Sequence, residues 1–155
     1  MNNGLTVTLN RNTEYLKKFL SEMTDDEMLV STGESNTIGW IIGHIAFYRG
    51  RIAVKLNKEC QFREIEKAFE RGAPKNKNIK INRTDALADF IARGEKIAEA
   101  INALGEEGLK EKIDAVIPGT DGTLEGYIAY LLWHEVFHLG QIDLIKAAAG
   151  KGGIK

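Results

Sequence analysis

Apolar residues recur every three to four positions in four separate stretches of this chain, and almost nowhere do they alternate. Such a sequence has to bury stripes of helices rather than faces of strands. The clearest stretch keeps Leu87, Phe90, Ile91, Gly94, Ile97, Ala98, Ile101 and Leu104 in one register. Asn82 or Thr84 can cap its start, and Gly105 suits its end. A first stretch runs from about Asn10 to Met23, with Tyr15, Leu16, Phe19, Leu20 and Met23 on one face. Thr24-Asp25-Asp26-Glu27 then reads as a capping box opening a short helical turn. A second begins near Ser35-Asn36 and carries Ile38, Ile41, Ile42, Ile45 and Ile52 to about Lys58. The fourth follows the loop Ile117–Thr123, runs to about Ala149 and stops at Gly150.

The connections limit how these helices assemble. Between Glu59 and Arg83, Phe62–Arg71 reads as a short helix ended by Gly72-Ala73-Pro74, and the polar run Lys75–Lys80 as a solvated crossover. The tail Lys151-Gly152-Gly153 is expected to fray. Four amphipathic helices cover their stripes most simply as an all-α four-helix bundle, here one domain over residues 1–155. The long second connection permits a crossover, so simple up-down-up-down order does not follow.

Composition narrows the partners. With 43% hydrophobic and 28% charged residues, the 155-residue chain is neither disordered nor of low complexity. Its 21 basic and 22 acidic residues give no cationic excess for nucleic acid or an anionic membrane. Tyr127–Trp133, the most apolar run, is too short to span a bilayer. A single cysteine, Cys60, excludes an internal disulfide and fits a reducing compartment. Met1–Gly4 opens without charge or a signal-like apolar core, so the cytoplasm is the expected location.

Histidine is the residue type whose placement is least random. There are three. His134 and His138 lie four apart, hence on one face of the fourth helix with Cβ atoms about 6 Å apart. Rings projected from there can converge on a metal at about 2.1 Å. His44 lies in the second helix among Trp40, Ile41, Phe47 and Tyr48, so its ring should face the interior. Buried imidazoles need partners. Each can hydrogen-bond a neighbouring hydroxyl, backbone group or water; alternatively, all three can share a divalent ion with open positions, as catalytic metals do.

Two other metal motifs fit less well. His134-Glu135-Val136-Phe137-His138 satisfies the H-E-x-x-H zinc-protease pattern, in which the glutamate is the general base. Only seventeen residues follow His138, however, and Leu144 stands where an extended signature wants a third histidine. No strand is available to hold a peptide beside the metal. A carboxylate-bridged dinuclear site would pair Glu135 and His138 with a matching glutamate near His44, but Ile41 and Arg51 flank that histidine.

The run Asn36-Thr37-Ile38-Gly39-Trp40-Ile41-Ile42-Gly43-His44-Ile45, together with His134-Glu135-Val136-Phe137-His138-Leu139-Gly140-Gln141-Ile142, resembles the DinB/YfiT-like superfamily of metal-dependent enzymes. Gly122-Thr123-Leu124 and Ala147-Ala148-Ala149-Gly150 also look like that family, and the likeness covers essentially the whole chain. It implies an up-down-down-up bundle whose second-to-third connection crosses its length. It also implies a divalent metal, zinc or nickel being common, on His44, His134 and His138, and often a homodimer. Relatives of this kind include bacillithiol S-transferases and mycothiol-dependent isomerases. A small-molecule substrate and a low-molecular-weight-thiol S-transferase activity are therefore expected. A hydrolase of a small ester or amide and a non-catalytic, metal-binding dimeric bundle are the alternatives.

Other side chains are candidates by position. Glu135, about 100° round the helix from His134, can act as catalytic base, orient a ligand, or form a solvated or inter-helix ion pair. Tyr48 and Tyr130, each four residues from a histidine, can donate to substrate or pack as core aromatics. Gln141, three residues after His138, can reach a ligand's free ring nitrogen, close a helix contact or line the substrate pocket, and Trp40 is expected to wall that pocket. Arg49 and Arg51 can meet an anionic substrate or remain solvated. Cys60 has no assigned role.

Overall fold

The computed structural model describes residues 4–74, 78–114 and 117–151. Its long elements are four helices: α1 (Gly4–Ser21), α2 (Ile38–Lys55), α3 (Arg83–Leu109) and α4 (Leu124–Ala148). Short 3-10 turns at Asp26–Leu29 and Glu64–Phe69 interrupt the first two connections. Among the described residues the only β feature is an isolated bridge between Lys112 and Thr123, and no helix is long and apolar enough to cross a membrane.

The core itself reveals the topology. One end gathers Phe19 and Leu20 from the close of α1, Ile38 and Ile41 from the start of α2, Phe90 from early α3 and Ile142 from late α4. The other end gathers Leu5 and Leu9, Ile52 and Ala53, Ile101 and Leu109, and Leu124 and Ile128. Helices α1 and α4 therefore run one way and α2 and α3 the other, the expected up-down-down-up order. Helix α2 packs on α3 and α4, as α1 does. Because α2 ends where α3 also ends, the chain between them must travel back along the bundle.

Several boundaries differ from the sequence reading, each for a local reason. Helix α1 starts at Gly4 rather than Asn10, because Leu5 and Leu9 extend its buried stripe; Tyr15 lies off that stripe and is exposed. The cap of α2 is Thr37, whose Oγ1 accepts from Trp40 N at 3.2 Å, while Ser35 Oγ accepts from Thr32 N instead. Helix α2 ends at Lys55 rather than Lys58, and Asn57 follows it with φ +57°. Asn82, one of the two expected caps, and Thr123 cap α3 and α4, accepting from Asp85 N and Gly126 N. Gly105, at φ +64°, interrupts α3 without ending it, and a last turn reaches Leu109. Glu64–Phe69 is a 3-10 turn within the expected Phe62–Arg71 helix. The expectations for residues 75–77 and for Gly152 onward lie outside the described residues.

Two ion pairs cross this apolar interior. Arg93 of α3 grips Glu66 of the connecting turn through two bonds of 2.6 and 3.0 Å. Burial alone would raise the Glu66 carboxyl, but the Arg93 hydrogen bonds outweigh it and hold the group below its usual range. The second pair, Arg49 with Glu135, borders the histidine cluster.

Candidate metal centre

Antiparallel packing of α2 on α4 brings His44 opposite His134 and His138. Their Nε2 atoms converge: His134 is 3.0 Å from His138 and 3.4 Å from His44. All three lie within 4.8 Å of one another, and no other group of three or more ligand residues clusters in this way among the described residues.

The protein holds two of these rings by their far nitrogens. His44 Nδ1 donates to the Phe69 carbonyl at 2.5 Å, and a carbonyl can only accept, so its Nε2 presents a lone pair. His138 Nδ1 donates to Gln141 Oε1 at 2.7 Å, with the same result. His134 Nδ1 is buried and has no hydrogen-bond partner among the described residues, so the fold does not fix that tautomer. Burial holds His44 and His134 down to about 4, their mutual crowding with His138 adding to the effect. Burial also pushes His138 below the usual range, against the bond to Gln141. At neutral pH, three uncharged imidazoles thus face one point.

That arrangement fits a cation. Two imidazoles sharing an ion at about 2.1 Å, with an angle of about 90–110° between them, stand about 3.0–3.4 Å apart. The His134–His138 and His134–His44 separations fall in this interval, and the third pair lies within 4.8 Å. Without an ion, a single proton on His134 Nε2 can satisfy only one of the two lone pairs aimed at it. Histidine nitrogens are borderline ligands suited to zinc or nickel.

Surrounding side chains divide into those at the cluster and those turned from it. Trp40 stacks on His44 at 4.7 Å between ring centroids and donates Nε1 to the Ala68 carbonyl at 3.0 Å. It is buried in the core and does not line the cavity that opens beside His134. That cavity, about 400 Å³, is lined by Tyr48, Arg71, Ile117, Pro118, Tyr130, Leu131 and His134. Tyr48 and Tyr130 line this cavity; Gln141 does not, and its Oε1 accepts from His138.

Glu135 does not join the histidines. It is 1% exposed and accepts from Arg49 Nε at 2.8 Å, Arg49 Nη2 at 3.0 Å and Asn12 Nδ2 at 3.0 Å. Both oxygens are engaged, so the inter-helix ion pair, not the general base, is what this geometry provides. Arg49, 0% exposed, gives its remaining donors to Thr13 Oγ1 and the Phe90 and Leu9 carbonyls. It is neither solvated nor facing a substrate. Arg51 is exposed and pairs with Glu70 at 3.6 Å. Cys60 is free and lies apart from the histidines.

Sequence reasoning missed two contributors. Gly43 lets the Phe69 ring pack where a Cβ would come within 2.7 Å of it, seating the carbonyl that holds His44. Arg71 reaches the cavity from the turn two residues beyond Phe69. A glycine directly before a buried histidine was a readable signal; the reach of a loop arginine was not.

No curated protein matches the chain. The sequence pattern of the DinB superfamily, by contrast, matches residues 8–142, spanning all three histidines and reaching into all four helices. The chain belongs to the DinB superfamily.

Proposed function

We propose that this protein is a metal-dependent enzyme that acts on a small molecule, a low-molecular-weight-thiol S-transferase using zinc or nickel on His44, His134 and His138. The observation that carries the reading is the meeting of three neutral Nε2 atoms beside an open cavity. When bound, such an ion supplies positive charge that favours the ionised form of a coordinated thiol near neutral pH. The chain's own groups do the rest. The Phe69 carbonyl and Gln141 aim two of the ligand rings, while Tyr48 and Tyr130 bring phenols able to hydrogen-bond a substrate in the cavity. The apolar walls from Ile117, Pro118 and Leu131 suit the body of an electrophile and limit competing water.

Thiol transfer is favoured over amide or ester hydrolysis because no carboxylate lines the cavity among the described residues. Hydrolysis asks for a proton acceptor and donor at the reacting atoms, whereas an ionised thiol already has its nucleophilic form. A cytoplasmic setting, rich in reduced thiols, suits this reading. A homodimer is supported by Trp133, Val136, Phe137 and Leu144, which leave an exposed apolar stripe along α4.

The test is metal analysis of protein prepared without chelators, in wild type, His44→Ala and His138→Ala. Stoichiometric metal in wild type and its loss from both variants supports the centre; full retention in both overturns it. Loaded protein is then given cysteine with an aryl halide, and separately an aryl ester. Turnover of the first pair supports transfer, and turnover of the ester alone replaces it with hydrolysis.

A further inference from the structure

We propose that Arg71 is a specificity residue that selects a carboxylate-bearing small molecule in the cavity beside His134. This deepens the reading of the three-histidine cluster as the reactive centre and rests on it.

Three observations meet here. First, Arg71 is the one permanently charged side chain in a described lining otherwise made of Ile117, Pro118, Leu131, two tyrosines and His134. Second, no carboxylate among the described residues claims the guanidinium. None lines the cavity, and Glu70 beside it in sequence is engaged by Arg51 at 3.6 Å. The contrast with Arg49 and Arg93, both neutralised by buried glutamates, is sharp. Third, its backbone continues the same short segment that holds the cluster, two residues beyond Phe69. Ala68 accepts from Trp40, Phe69 accepts from His44, and Gly72, at φ +88°, turns the chain directly after Arg71.

A planar guanidinium with free donors pairs naturally with a carboxylate, two parallel N–H···O bonds giving orientation as well as attraction. With apolar walls on either side, the cavity suits a molecule with an anionic head at Arg71 and an apolar body. Its reactive atom then lies toward His134. Arg71 itself takes no part in bond making.

The experiment compares benzoate with its neutral counterpart benzamide, titrated into metal-loaded wild type, Arg71→Gln and Arg71→Lys. Binding is followed by calorimetry, with metal content measured on each sample. Wild type is expected to prefer benzoate by about tenfold, the lower range for a charge-assisted bond at a solvent-accessible group. Arg71→Gln loses the preference at unchanged metal content, and Arg71→Lys retains part of it. A benzoate preference that survives in Arg71→Gln overturns the proposal, because the anion is then read by another group. Failure of both compounds to bind wild type overturns it as well. If none of the proteins holds metal while the Arg71-dependent preference persists, the metal reading fails and the anion site stands.

Discussion

Replacing Glu135 by glutamine separates a structural carboxylate from a catalytic one. The substitution keeps the shape and removes the charge opposite a guanidinium that is 0% exposed. Glutamine also offers one acceptor where Arg49 and Asn12 now find two. Whichever way its amide is turned, an NH2 meets a donor, either Arg49 Nε or the Arg49 Nη2 and Asn12 Nδ2 pair. Breaking a buried pair from one side costs about 3–5 kcal/mol, since the partner charge stays in the interior. For a domain of this size about 1 kcal/mol moves Tm by about 2–4 °C, so Glu135→Gln should melt about 6–20 °C below wild type. Metal stoichiometry should not change, because no histidine nitrogen bonds to Glu135. A double variant, Arg49→Met with Glu135→Leu, should melt higher than Glu135→Gln, as it strands no charge. Thermal denaturation paired with metal analysis decides the matter. A Tm within about 2 °C of wild type, accompanied by loss of metal, would refute the structural assignment.

Other consequences are open to direct measurement. Gln141→Leu should weaken metal affinity by about 10–100-fold with little change in fold, read by competition with a chromogenic chelator. Gly43→Ala places a Cβ 2.7 Å from the Phe69 ring, and overpacking of this kind should cost about 1–3 kcal/mol in urea unfolding while loosening the ring of His44. Metal-free protein should lose stability as pH falls from about 6.5, the usual histidine value, toward about 4, where burial holds His44 and His134. The unfolded chain takes up those protons first; for His44 alone the loss reaches at most about 3 kcal/mol, and a urea midpoint that stays flat between pH 7 and 5 would contradict it. Phe137→Glu should convert a dimer into a monomer by light scattering if the α4 stripe is the contact.

Periodicity was enough to place the four helices, because each stripe is long and the caps and stops use ordinary chemistry. It failed where burial does not follow from residue type. Tyr15 is aromatic yet exposed, whereas Arg49 and Glu135 are charged yet among the best buried side chains. One residue cannot announce which helix will supply its counter-charge, so the ion pair stood for Glu135 only beside a catalytic role, and Arg49 read as substrate-facing or solvated. The histidines were legible because two share one helix face and the third sits among apolar neighbours. Trp40 was assigned to the pocket because spacing locates a side chain on a face without giving its depth. Arg71 stayed hidden because its place depends on the path of an irregular segment.

That segment is the stretch the topology obliges the chain to make. With α2 and α3 pointing the same way, some length of polypeptide has to retrace the barrel of helices, and here it passes over the histidines and contributes a backbone carbonyl and an arginine. Editing Arg71 would therefore alter the cavity lining while the four helices remain as they are, whereas Phe69, 2% exposed, belongs to their core. Diversification of the cavity lining on this scaffold can proceed through a single connecting strap.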